Sequence, residues 1–83
     1  MKTESSPNLI IQVNDVNIGK NLCSLRKSKQ LKQTELVKQL QLTGIDISVF
    51  SYNRIEKGTQ NPTVSLLLTC CKLLDCDMND IFK

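Results

Sequence analysis

"SVFSYNRIEKG", running from Ser48 to Gly58, places a hydroxyl, two bulky apolar residues, a tyrosine and an Asn-Arg pair in front of a closing glycine. Ser48 is a favourable helix N-cap, because its side-chain oxygen can accept from an orphan main-chain N–H in the first turn. Gly58 is a natural stop, since glycine enters the left-handed backbone region without strain. On a helix between them Tyr52 and Ile55 share one face, while Val49, Phe50, Asn53 and Arg54 share another. A helix this short buries only one side. The other side either meets a partner or is covered by a core wider than one helix face.

Upstream, "QTELVKQLQL" reads as a second helix with Leu36, Val37 and Leu40 inward and Gly44 as its C-cap. Before it, Ile18, Leu22 and Leu25 recur at i, i+4 and i+7, and Lys20, Arg26, Lys27 and Lys29 occupy the remaining surface. Downstream, "TQNP" is a turn and Thr63 caps a fourth helix with a stripe of Val64, Leu67, Leu68, Cys71 and Leu74. Asp77 caps a last helix, "MNDIF", whose Ile81 and Phe82 close the core. The expected fold is a compact all-α domain of five helices over residues 17–83, preceded by an N-terminal arm, residues 1–16, that includes "LIIQV".

With 83 residues the chain holds one domain with a small core, so self-association would help it. The net charge is +3, and it is unevenly spread. Residues 1–60 carry nine Lys/Arg against five Asp/Glu, giving +4, while residues 61–83 carry two against three, giving −1. One positive face turned to a polyanion fits that asymmetry, and so do lysines that are merely solvated. Phe50, Tyr52 and Phe82 are the only aromatics, too few for the stacking platforms of single-strand binders. "NLIIQV" is too short for a signal-peptide core and nothing approaches a membrane span, so the expected location is the cytoplasm.

Cys23, Cys70, Cys71 and Cys76 lack the paired spacing of zinc frameworks and have no histidine to join them. Buried, reduced thiols are expected, with no metal and no cofactor. No histidine, glycine-rich phosphate loop or paired carboxylates support catalysis, so the chain does not read as an enzyme.

Taken in order, "IGKNLCSLRKSKQLKQTELVKQL", "ISVFSYNRIEKGTQNP" and "LLLTCCKLLDCDMNDIF" resemble the phage-repressor/Cro-type, lambda-repressor-like helix-turn-helix family over roughly residues 18–82. The resemblance rests on Leu25-Arg26, on Gln33-x-Glu35-Leu36, on Arg54-Ile55-Glu56-x-Gly58, on Asn61-Pro62 and on the final run to Phe82. It implies a sequence-specific, double-stranded-DNA-binding transcriptional regulator, a repressor, working as a homodimer on a two-fold operator. The helix at 48–57 would enter the major groove, which is wide enough to admit one.

By the same resemblance Val49, Phe50, Ser51, Asn53 and Arg54 are the expected base contacts. Arg54 can give guanine two hydrogen bonds, and Val49 or Phe50 can pack on thymine methyls. Gln33, Lys32, Lys57, Thr59, Gln60 and Asn61 are the expected phosphate contacts, with Lys29 adding charge. Arg26 and Glu56 match a structural salt bridge, and Leu36, Tyr52, Ile55, Leu67, Cys70 and Leu74 match core positions. Tyr52 replaces an aliphatic residue, and its hydroxyl is expected at the surface or on a polar partner.

The sequence departs from the family in three places. "QLTGIDIS" is longer than the usual linker, so helix two could gain a turn, Asp46 could compete with Ser48 as cap, and Phe50 could pack on Ile45 or Ile47. Lys32 stands where a capping Ser, Thr or Asn is usual. Val49 and Phe50 replace polar residues. The alternative from another class is a protein–protein adaptor or antitoxin-like module, with Val49 and Phe50 as its docking patch. Helix five and the arm segment Leu9–Val13 are both candidate dimer surfaces. No small-molecule ligand and no membrane partner is expected.

Overall fold

The computed structural model describes residues 17–83, and the expected arm, residues 1–16, lies outside them. Five helices follow one another: α1 (Ile18–Ser28), α2 (Gln33–Leu42), α3 (Val49–Lys57), α4 (Val64–Leu74) and α5 (Met78–Phe82). Helix α1 packs on α3 and α5, α2 packs on α3 and α4, and α4 also meets α5. The core between them is made of Ile18, Leu22, Leu36, Val37, Leu40, Tyr52, Ile55, Leu66, Leu67, Cys70, Leu74 and Ile81.

The starts of three helices follow from local chemistry. Ser48 Oγ accepts from Ser51 N at 3.0 Å, and Thr63 Oγ1 accepts from Leu66 N at 3.1 Å. Asp77 and Asp80 cap each other's main-chain N–H at 3.1 and 3.0 Å. Helix α2 has only half of such a device. Lys32 has no acceptor to offer, and Glu35 Oε1 takes the Lys32 N–H at 2.8 Å. The C-terminus of α5 is held from across the fold, where Asn21 Nδ2 donates to Ile81 O at 2.7 Å.

The long linker is resolved by the chain turning early. Helix α2 ends at Leu42 and gains no extra turn; Thr43 is its C-cap, and Gly44 follows at φ +97°. Ile45 and Ile47 then pack partly against the core. Gln41 Nε2 holds the Ile47 carbonyl at 2.8 Å, and Ser48, not Asp46, starts α3.

Three expectations need correction. In α4 the inward face is Leu66, Leu67, Cys70 and Leu74, whereas Leu68 is 49% exposed. The segment "VSLLLTCCKLL" is apolar nearly all round, so its phase is set by α2 and α5 and not by its own period. Of the cysteines only Cys70 is fully buried, and burial pushes its thiol up to about 12; the other three are half-buried. Tyr52 is fully buried, and its hydroxyl reaches no surface.

Gly19 explains how closely α1 and α3 approach. A Cβ at this position would collide with the main-chain carbonyls of Ile55 and Glu56. Glycine here lets α1 lie directly on the last turn of α3, which fixes the direction of that helix.

Candidate nucleic-acid interface

Helix α3 gives one side to the core, and among the described residues its other side is exposed. Tyr52 and Ile55 are buried, while Phe50 is 69% and Val49 37% exposed, and Arg54 and Lys57 are exposed beside them. Phe50 is left largely exposed, whereas Ile45 and Ile47 are half-buried against the core. The Arg54 guanidinium carbon lies 5.7 Å from the centre of the Phe50 ring, one helical turn away. A cation over an aromatic ring at an exposed site is worth about 0.5–1 kcal/mol, enough to bias where the guanidinium points. Phe50 and Arg54 therefore form a small apolar-cationic ridge.

Under that ridge runs a polar network. Arg26 Nε and Nη2 donate to Glu56 Oε2 and Oε1 at 2.8 and 3.1 Å, and Nη1 donates to Leu31 O at 2.7 Å. The two side chains are only 9% and 4% exposed. Burial alone would raise the Glu56 carboxyl, but hydrogen bonds from Arg26, with Tyr52 and Gln33 beside it, hold it below the usual carboxylate range. The Tyr52 hydroxyl points into this network without completing a hydrogen bond of standard geometry, and burial, first of all, pushes it well above its ordinary range.

Gln33 joins this network to the outer face. Its Nε2 donates to Glu56 Oε1 at 3.0 Å and to Asn53 Oδ1 at 3.1 Å. A carboxamide has two N–H groups, and both are used within the protein. Asn53, whose oxygen is held by Gln33, keeps its Nδ2 as a donor with no partner among the described residues. Gln33 is also the first residue of α2, where the opening N–H groups have no intrahelical acceptor. The start of α2 and the outer face of α3 are thus fastened side by side across the segment that connects them.

Residues 24–81, well over half of the chain, match the family model described as helix-turn-helix. The chain belongs to the Cro/C1-type, lambda-repressor-like helix-turn-helix family. That family is one of DNA-binding regulators and is typically non-enzymatic, so this helix-turn-helix protein is a DNA-binding regulator. No curated protein and no solved structure matches it significantly. Among the described residues no helix is long and apolar enough to cross a membrane.

The helix-turn-helix unit gathers some of the expected contact residues and separates others. Val49, Phe50, Asn53, Arg54 and Lys57 share the outer side of α3. Ser51 is half-buried and faces away from them, into a pocket of about 180 Å³ between the linker and the loop after α3. Gln60 and Asn61 line the same pocket and are half-buried. Thr59 is exposed, but its N–H and hydroxyl both turn back to the Arg54 carbonyl, at 2.9 and 3.3 Å. Lys32 is exposed beside Gln33, and Lys29 is drawn toward Asp75, 4.0 Å away.

Two features gave no signal in the sequence. The Gln33–Asn53 contact joins residues twenty apart, and no spacing rule pairs them. Gly19 looks like any helical glycine until the neighbouring helix is in place. Among the described residues no group of three or more Cys, Asp and Glu side chains converges as a cation cage would.

Proposed function

We infer that the protein is a sequence-specific repressor that binds duplex DNA as a homodimer in the cytoplasm, with α3 in the major groove. The single observation carrying this reading is the open side of α3, where Phe50 and Arg54 project from a helix whose other side is anchored in the core. A helix that exposes a cation and that none of the other described helices covers suits a groove of helical width. Two such helices related by a two-fold axis would reach half-sites one turn of DNA apart, roughly 34 Å.

Val49, Phe50, Asn53 and Arg54 are the proposed base contacts, and Ser51 takes at most a minor part because it faces the pocket. For the phosphates we assign Lys32, Lys57 and Thr59, with the main-chain N–H of Gln33 in place of its side chain. The Gln33 carboxamide is already engaged, and the start of α2 supplies donors and a favourable dipole end. Gln60 and Asn61 would act by shaping the loop. Helix α5 and the arm at 1–16 stay the candidate dimer surfaces.

The exposure of Phe50 and Val49 also favours a second reading, an adaptor that docks a protein through this apolar patch. Binding of the full chain to random-sequence duplexes across a salt series separates the two. A DNA binder loses affinity with a log–log slope near −0.9 per phosphate contacted. Absence of binding even at low salt rejects the DNA reading and leaves the adaptor.

A further inference from the structure

We propose that Phe50 and Arg54 act as one reading unit for a pyrimidine methyl group beside a guanine, in ordinary DNA a thymine next to a guanine. This rests on the groove-docking reading of α3 and adds the base chemistry it would recognise.

The ring and the guanidinium lie together, 5.7 Å from guanidinium carbon to ring centre. Phe50 is 69% exposed, and among the described residues no carboxylate lies within ion-pair distance of Arg54. Held by a ring, a guanidinium keeps its planar N–H fork available, and in the major groove that fork matches guanine O6 and N7. The ring has no donor or acceptor. The one apolar group that base pairs display in that groove is the thymine C5-methyl.

Spacing then sets the arrangement. Thymine does not pair with guanine, so the two features cannot share one Watson–Crick pair. Two base-pair steps span roughly 6.8 Å of rise at 3.4 Å each, more than the 5.7 Å between the two groups. The methyl and the guanine therefore belong to neighbouring pairs. Because the ring senses only the methyl, 5-methylcytosine opposite guanine would satisfy it as thymine does.

The test begins with selection of bound duplexes from a random pool by the full chain, which should return a thymine beside a guanine in each half-site. In the selected duplex, deoxyuridine in place of that thymine removes the methyl alone. Affinity should fall about fourfold per half-site, the worth of one buried methyl. Phe50→Ala, at an exposed position, should keep the helical circular dichroism and bind thymine and uracil duplexes equally. Replacing the neighbouring guanine by 7-deazaguanine should weaken the native chain and leave Arg54→Ala indifferent. A 5-methylcytosine·guanine pair at the thymine position should bind more tightly than the unmethylated pair. A selected site without a methyl–guanine neighbour, equal binding of thymine and uracil by the native chain, or discrimination that survives Phe50→Ala overturns the reading unit while DNA binding stands. Failure to bind any duplex at low salt overturns both.

Discussion

The chain has two arginines, Arg26 and Arg54, and each sits near an aromatic residue of α3. Arg26 lies inside, its donors shared among Glu56, the Leu31 carbonyl and, at 3.6 Å, the Cys23 sulfur. Arg54 lies outside, with the Phe50 ring beside it. The inner arginine is surrounded by acceptors because a buried guanidinium without them would cost several kcal/mol. The outer one needs none, because water solvates it until something else does. What distinguishes the structural cation from the one proposed to bind is how much of its hydrogen-bonding capacity the fold itself consumes.

The sharpest way to break that contrast is to strip the inner pair. Glu56→Ala should destabilise the fold by about 3–5 kcal/mol, read by urea or thermal denaturation, because it strands a buried guanidinium. The same carboxylate makes stability pH-dependent. Its folded-state pKa lies below the unfolded value near 4.5, so its contribution is present above that pH and is lost as acid protonates it in the folded state. Unfolding midpoints should drop on going from pH 6 to pH 3, and Glu56→Gln should flatten the drop.

Next in size is the close approach that aims α3. Gly19→Ala should cost about 1–3 kcal/mol, since backbone carbonyls and not flexible side chains stand in the way. It should also weaken DNA binding without touching any contact residue, as anisotropy titration would reveal. Ser48→Ala removes the cap of α3 and should cost about 1 kcal/mol. The smallest stability effect belongs to the outer arginine. Arg54→Ala should stay within about 0.5 kcal/mol of the parent in denaturation, while its DNA affinity and base preference fall. If Arg54→Ala destabilises as much as Glu56→Ala, the distinction between the two arginines is lost.

The sequence made legible what depends on near neighbours. Ser48, Thr63 and Asp77 could be named as caps because a cap satisfies N–H groups only two or three residues away. The inward residues of α2 followed from helical spacing, with Leu36, Val37 and Leu40 at i, i+1 and i+4. The phase of α4 did not, because Leu66, Leu67 and Leu68 are equally apolar and only the surrounding helices choose among them. Arg26 and Glu56 were found by resemblance, whereas the fate of the Tyr52 hydroxyl depended on three segments meeting. The outward residues of the candidate interface were readable on α3. That Gln33 spends its amide on Asn53 and Glu56, and that Arg54 lies over the Phe50 ring, needed the packed structure.

Tyr52 has a practical consequence. It is the chain's single tyrosine, there is no tryptophan, and it is sealed beside a carboxylate that opposes a second negative charge. The folded protein therefore cannot form a phenolate at pH values where a free tyrosine already has. In a rapid jump to alkaline pH, the rise of near-ultraviolet absorbance should follow the rate at which the chain opens and not the speed of proton transfer. One native chromophore then times the breathing of the core without a label, and its response to added duplex would report how firmly an occupied outer face holds the inner one shut.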